Sequence, residues 1–170
     1  MEDFEDRELN TPGILALFPE EARGLVLGPS GLTDSVDADD GFIDGFGDDG
    51  HSFAAGFFTV MFTDPPVRRR YFRFGFEPTV AMDYPNAFGF AWTDGAASSS
   101  LAIDVYGVDG AILGSNLLHG LGDESNAGTS AEDRFIGFKT TELIARVDIT
   151  AIFVGEDATF EIDHVQYGFL

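Results

Sequence analysis

Apolar and polar residues alternate through most of the chain after residue 53. Between residues 69 and 76, Phe72, Phe74 and Phe76 share one parity, with Arg69, Tyr71 and Arg73 on the other. A period of two sends successive side chains to opposite faces of a strand. The same pattern returns at 87–92, where Phe88, Phe90 and Trp92 oppose Ala87, Gly89 and Ala91. At 101–108, Leu101, Ile103 and Val105 turn inward, with Asp104 and Tyr106 outward. Asp109-Gly110 predicts a hairpin turn and a returning strand at 111–118. Further strands are predicted at 24–27, 133–138 and 143–154, the last with Val147, Ile149, Ala151 and Phe153 on one face. Residues 57–63 are apolar at both parities, which predicts a central strand. Residues 14–23 are read as a short helical turn around Pro19.

The final strand, 159–169, changes phase. Phe160 and Ile162 set one parity, whereas Val165, Tyr167 and Phe169 set the other. One extra residue at Asp163-His164, a β-bulge, restores a common face. At least eight short strands, regular turn residues and no repeat predict an all-β fold. The expected architecture is a single antiparallel β-sandwich of jelly-roll type, one domain over residues 1–170.

Composition sharpens this picture. Eighteen phenylalanines against one tryptophan and four tyrosines give an aromatic, strand-favouring core. The formal net charge of −21 argues against nucleic acid, whose phosphates call for clustered Lys and Arg. Cysteine is absent, so disulfides, thiolate metal sites and thiol catalysis are excluded. No stretch reaches the roughly twenty apolar residues of a membrane-spanning helix, and no direct membrane insertion is expected. The first residues, Met-Glu-Asp-Phe-Glu-Asp, do not read as a signal peptide.

An Asp/Gly-rich loop is expected at 34–53. Seven aspartates stand between Asp34 and Asp49, with glycines at 41, 45, 47 and 50. Crowded carboxylates repel, and a hard divalent cation with oxygen ligands relieves that repulsion. Asp37, Asp39 and Asp44 are the candidate ligands, and Ca2+ the candidate structural ion. The loop departs from an EF-hand, since Gly41 falls at position 5 and no Glu closes the loop. A surface loop without an ion is the competing reading.

Catalytic patterns are missing. His51, His119 and His164 form no closely spaced zinc pair. There is no Gly-x-Ser-x-Gly elbow, phosphate loop or dinucleotide fingerprint. For ligand binding, Tyr106 with Asp104 is the surface candidate. Trp92, which shares parity with Phe88 and Phe90, is either core or a sugar-stacking ring. Arg68, Arg69, Arg70 and Arg73 form the single basic cluster, and Arg69 and Arg73 are the candidates for self-association.

Five stretches together carry a resemblance: Asp3-Phe4-Glu5-Asp6, Asp34 to Gly41, Phe88-Gly89-Phe90-Ala91-Trp92-Thr93-Asp94-Gly95, Ala131-Glu132-Asp133-Arg134-Phe135 and Asp163-His164-Val165-Gln166-Tyr167-Gly168. In number and order they resemble exported domains of bacterial proteins that carry a PEP-CTERM sorting signal. Those domains are similar in outline to galactose-binding-like jelly rolls. The resemblance implies an extracellular or cell-surface β-sandwich connected with exopolysaccharide, and no reaction. It also implies Asp163 as the acid that joins the early loop in holding Ca2+. Neither a signal peptide nor a C-terminal Pro-Glu-Pro motif with a membrane helix is read in this sequence, so either it is a trimmed mature domain or the sorting reading does not hold for it.

The expectation is therefore a non-enzymatic, extracellular, calcium-stabilised module that binds carbohydrate or exopolysaccharide. The alternative is a self-assembling homo-oligomeric subunit of a bacterial surface layer or extracellular filament.

Overall fold

The computed structural model describes residues 8–9, 11–16, 25–27, 50–54, 58–61, 67–80, 83–95, 100–122, 133–154 and 160–170. Its strands are β1 (Ile14–Ala16), β2 (Leu25–Leu27), β3 (Ser52–Ala54), β4 (Phe58–Met61), β5 (Val67–Phe76), β6 (Ala87–Asp94), β7 (Ser100–Gly107), β8 (Ile112–His119), β9 (Arg134–Lys139), β10 (Ile144–Val154) and β11 (Glu161–Gly168). No helix occurs among the described residues.

The strands form two antiparallel sheets. The first runs β1-β5-β10-β7-β8, with β4 also paired to β5; the second runs β2-β3-β11-β6-β9. The eight strands β3 and β5 to β11, counted in chain order, interleave as first-eighth-third-sixth in one sheet and second-seventh-fourth-fifth in the other. That is the double Greek key of a jelly roll.

Phe72, Phe74 and Phe76 from β5 meet Phe88, Phe90 and Trp92 from β6 between the sheets, with Leu101, Ile103, Val105, Val147, Ile149 and Ile162 around them. Phe160 lies edge-on to Phe72 at 5.0 Å between centroids and stacks on Trp92 at 5.4 Å. Aromatic pairs of this kind add about 0.5–1.5 kcal/mol each beyond their buried area. The β7–β8 hairpin closes where expected: Gly110 adopts φ +81° and its N–H donates to Gly107 O at 2.9 Å. An added Cβ would strain that backbone.

The phase change in β11 is a bulge. Asp163 pairs with Ala91 and Gln166 with Gly89, so three steps on β11 face two on β6. His164 takes φ +47°. Asp163 supports this left-handed residue, accepting from the His164 backbone N–H at 2.6 Å through Oδ1, while Oδ2 stands 3.1 Å from His164 Nδ1.

Two expectations are overturned. Residues 14–16 form a strand, not part of a helical turn, because Ile14 buries its side chain while its strand pairs with residues 74–76 of β5. β4 is not central: among the described residues it pairs with β5 alone, along 67–70, sharing that edge with β1. Apolar residues at both parities report what lies above and below a strand, not how many of its edges are paired.

Candidate functional site

The outer face of the second sheet has a floor with almost no side chains. Outward positions are Ala87, Gly89 and Ala91 on β6, Gly137 on β9 and Gly168 on β11. Register places Gly89 between Gly137 and Gln166, and Ala87 between Lys139 and Gly168. Onto this floor folds the ring of Phe135, which is 64% exposed. A Cβ at Gly89 would fall 2.5 Å from Phe135 Cζ, and one at Gly137 3.1 Å from Cε1. Any larger residue at Gly89 would push the ring off the sheet, so the glycine is what permits this close approach. The ring borders a groove of about 350 Å³ that also touches Phe138, Lys139, Gln166, Tyr167, Phe169 and Leu170.

Hydrogen bonds fix the far end of the groove. Asn86 N–H donates to Gly168 O at 2.9 Å, and Leu170 N–H donates to Asn86 Oδ1 at 3.0 Å. The Tyr167 hydroxyl donates to Pro12 O at 2.8 Å. Chemically this is an apolar trough with two exposed rings, Phe135 and Phe169, an amide at Gln166 and an ammonium at Lys139. A largely apolar cleft with a few polar groups is the usual form of a small-ligand site. Sequence reasoning missed it. The signal was an outward Phe on β9, but its meaning depends on Gly89, forty-six residues earlier.

The outer face of the first sheet gathers Tyr106, Asp104 and Arg73, three residues singled out from the sequence, and adds Asp148 and Arg146. Arg73 donates to Asp148 in a fork, Nε to Oδ1 and Nη2 to Oδ2, each at 2.7 Å. Arg146 Nε lies 3.1 Å from the same Oδ1, and its guanidinium covers the Tyr106 ring at 3.8 Å from the centroid. Asp104 accepts from the Ser115 hydroxyl at 2.5 Å. The hydrogen bond from Arg73 to Asp148 holds the Arg73 pKa above its ordinary value.

Two corrections follow. The Tyr106 ring does not offer this face to a sugar, because Arg146 occupies it. Arg73 is engaged within the chain, so reversing its charge would leave Asp148 facing an acid and would not spare the fold. Arg69 lies on the same outward parity as Arg73, opposite Ile152.

Trp92 is no ligand platform. It is 0% exposed and stacked on Phe160 in the core. Its phase with Phe88 and Phe90 placed it there.

Near the β11 bulge, Ser52, Glu161 and Asp163 stand at outward parity, opposite to Phe53 and Ile162, yet all three are buried along with His51 and His164. The Ser52 hydroxyl donates to Glu161 Oε2. Asp163 thus lies in a buried polar cluster at the sheet end. Asp37, Asp39 and Asp44, its expected companions around Ca2+, lie outside the described residues. Among the described residues no three acids or histidines converge as a metal site.

No protein-family model matches the chain. No curated protein matches it either. Solved structures share its outline distantly. The enzymatically active domain of bacteriophage CBA120 tailspike protein 4 is 10% identical with a TM-score of 0.46, over 98% of this chain and 20% of that one. TmCBM61 in complex with β-1,4-galactotriose is 12% identical with a TM-score of 0.48, over 98% of this chain and 93% of that one. An exo-β-agarase is 13% identical with a TM-score of 0.48, over 99% of this chain and 25% of its own. Likeness at this level assigns no ligand to this chain.

Proposed function

We propose that this protein is a non-catalytic carbohydrate-binding module and that its ligand lies in the groove on the second sheet. The observation that carries the reading is the exposed Phe135 ring packed closely against Gly89. The C–H face of a pyranose is apolar and its rim is hydroxylated. An exposed aromatic ring suits the face, and Gln166 and Lys139 suit the rim. Phe135 is placed on this face by the β6–β9 register, which pairs it with Ala91.

Exopolysaccharide is the ligand source that the PEP-CTERM-type resemblance favours, with an extracellular or cell-surface location. Calcium is the proposed structural ion. The support for it is the run of seven aspartates at 34–49, with Asp163 as the acid nearest the chain end.

The test is a neutral glycan array followed by calorimetry. Phe135→Ala should weaken the best ligand at least tenfold, about 1.4 kcal/mol. Gly89→Ala should do the same by displacing the ring. Phe135→Trp should retain binding. An array without hits, or a hit indifferent to both Phe135→Ala and Gly89→Ala, would remove the reading.

A further inference from the structure

We propose that the outer face of the first sheet is a second binding surface, whose occupant is a carboxylate-bearing segment of acidic polysaccharide. It is separate from the Phe135 groove, which lies on the opposite side of the sandwich.

The chain has nine basic residues and thirty acidic ones. On this face three arginines, Arg69 and Arg73 on β5 and Arg146 on the neighbouring β10, stand against two acids, Asp148 on β10 and Asp104 beside it on β7. By parity Arg69 and Arg73 face outward on β5, and Arg146 on β10 lies one row beyond Arg73, opposite Gly75. At about 3.4 Å per residue, the rows from Arg69 to Arg146 span roughly 20 Å. The row at the Arg69 end continues through Ile152 and Ser100 to His119, with no acid in it. Ser100 Oγ and His119 Nδ1 are hydrogen-bonded at 2.8 Å.

The arginines are also preorganised. Tyr106 lies against the Arg146 guanidinium, Asp148 stands within ion-pair distance of it, and Asp148 holds the Arg73 fork by two hydrogen bonds. Guanidinium is planar and weakly hydrated, and its donor fork matches a carboxylate. Asp148 accepts such a fork on this face from Arg73, whose side chain stays 39% exposed, as the Arg146 side chain stays 36% exposed. Charge complementarity therefore selects an anionic occupant. A second copy of this chain would bring a further −21, whereas a short oligosaccharide brings only a few carboxylates.

The test measures binding to oligogalacturonate and to its neutral methyl ester, by calorimetry at low and at about 0.5 M salt. The acid form should bind, the ester should not, and salt should weaken the interaction. Arg69→Ala with Arg146→Ala should weaken it at least tenfold at unchanged Tm, while Phe135→Ala should leave it unaltered. Arg73 is kept so that Asp148 stays paired. If removing Arg146 lowers Tm, Arg69→Glu alone is read and should give the same loss. Absent binding, equal binding of the ester, or binding that survives the arginine substitutions would overturn the proposal. So would tighter binding of a sulfated chain of equal length, or a concentration-dependent dimer in sedimentation that the double variant abolishes.

Discussion

On the outer face of the first sheet the outward side chains are long: Arg69, Tyr71 and Arg73, then Arg146, Asp148 and Tyr106. Arg73, Asp148, Arg146 and Tyr106 join in one network that stays partly exposed, with Arg73 at 39% and Asp148 at 14% side-chain exposure. On the second sheet the outward positions around Phe135 include Ala87, Gly89, Ala91, Gly137 and Gly168, so strand backbone forms much of the floor beside it, with Lys139 and Gln166 as its polar groups. Both faces obey the same alternation. Long polar side chains fill their own space and present donors, whereas bare backbone leaves a trough that an aromatic ring only partly covers. At the β3–β11 end of the second sheet the contrast is sharper still. There the outward Ser52, Glu161 and Asp163 are buried, and each polar atom must find a partner within the protein.

The largest expected effect breaks both faces at once. Trp92→Ala should cost about 3–5 kcal/mol, because it removes a wholly buried ring stacked on Phe160. Thermal unfolding should show Tm lower by roughly 6–20 °C. A small change would mean that the ring is not part of the common core.

Next comes the ion. At about 100 times its dissociation constant, Ca2+ bound only to the folded state adds about 2.7 kcal/mol. Unfolding in calcium, in magnesium and in chelator at equal ionic strength is the measurement. A calcium-specific rise in Tm that disappears in Asp37→Ala and in Asp163→Ala would join the acidic loop to the buried end of the second sheet. Equal melting in all three would leave the loop a plain acidic surface.

A pair of serines compares the two faces directly. Ser52→Ala leaves the buried Glu161 short of a donor and should cost about 1–3 kcal/mol. Ser115→Ala removes a hydrogen bond to Asp104 at an exposed position and should change stability by no more than about 0.5 kcal/mol. Urea midpoints at equal slope give both values.

Asp148→Asn sharpens the picture of the first sheet. The pair is partly exposed, so the loss should not exceed about 1 kcal/mol. Removing the one acid on β5 and β10 should at the same time tighten binding of an acidic oligosaccharide. The smallest effect on stability is expected from Phe135→Ala. The residue is exposed, so stability should move by less than about 0.5 kcal/mol. A large loss would recast Phe135 as a structural lid over the glycine floor.

Much of this molecule was legible in its sequence. Alternation alone placed Phe72, Phe74, Phe76, Phe88, Phe90 and Trp92 on inner faces. Asp109-Gly110 marked a hairpin, and the shifted parity of Ile162 and Val165 marked the bulge at Asp163-His164. These are local properties, because a strand's period of two and a turn's φ are set within a few residues. What the sequence did not contain was the register between distant strands. Only pairing of β6 with β9 puts Phe135 beside Gly89, and only pairing of β5, β10 and β7 lays Arg146 on Tyr106 and gives Arg73 to Asp148. Short strands such as β1 and β4 took their places from the same cause, since three or four residues carry too little periodicity to choose a partner edge. Side-chain type and parity were written in the chain. Which side chains became neighbours was decided by the closure of two sheets around one aromatic core.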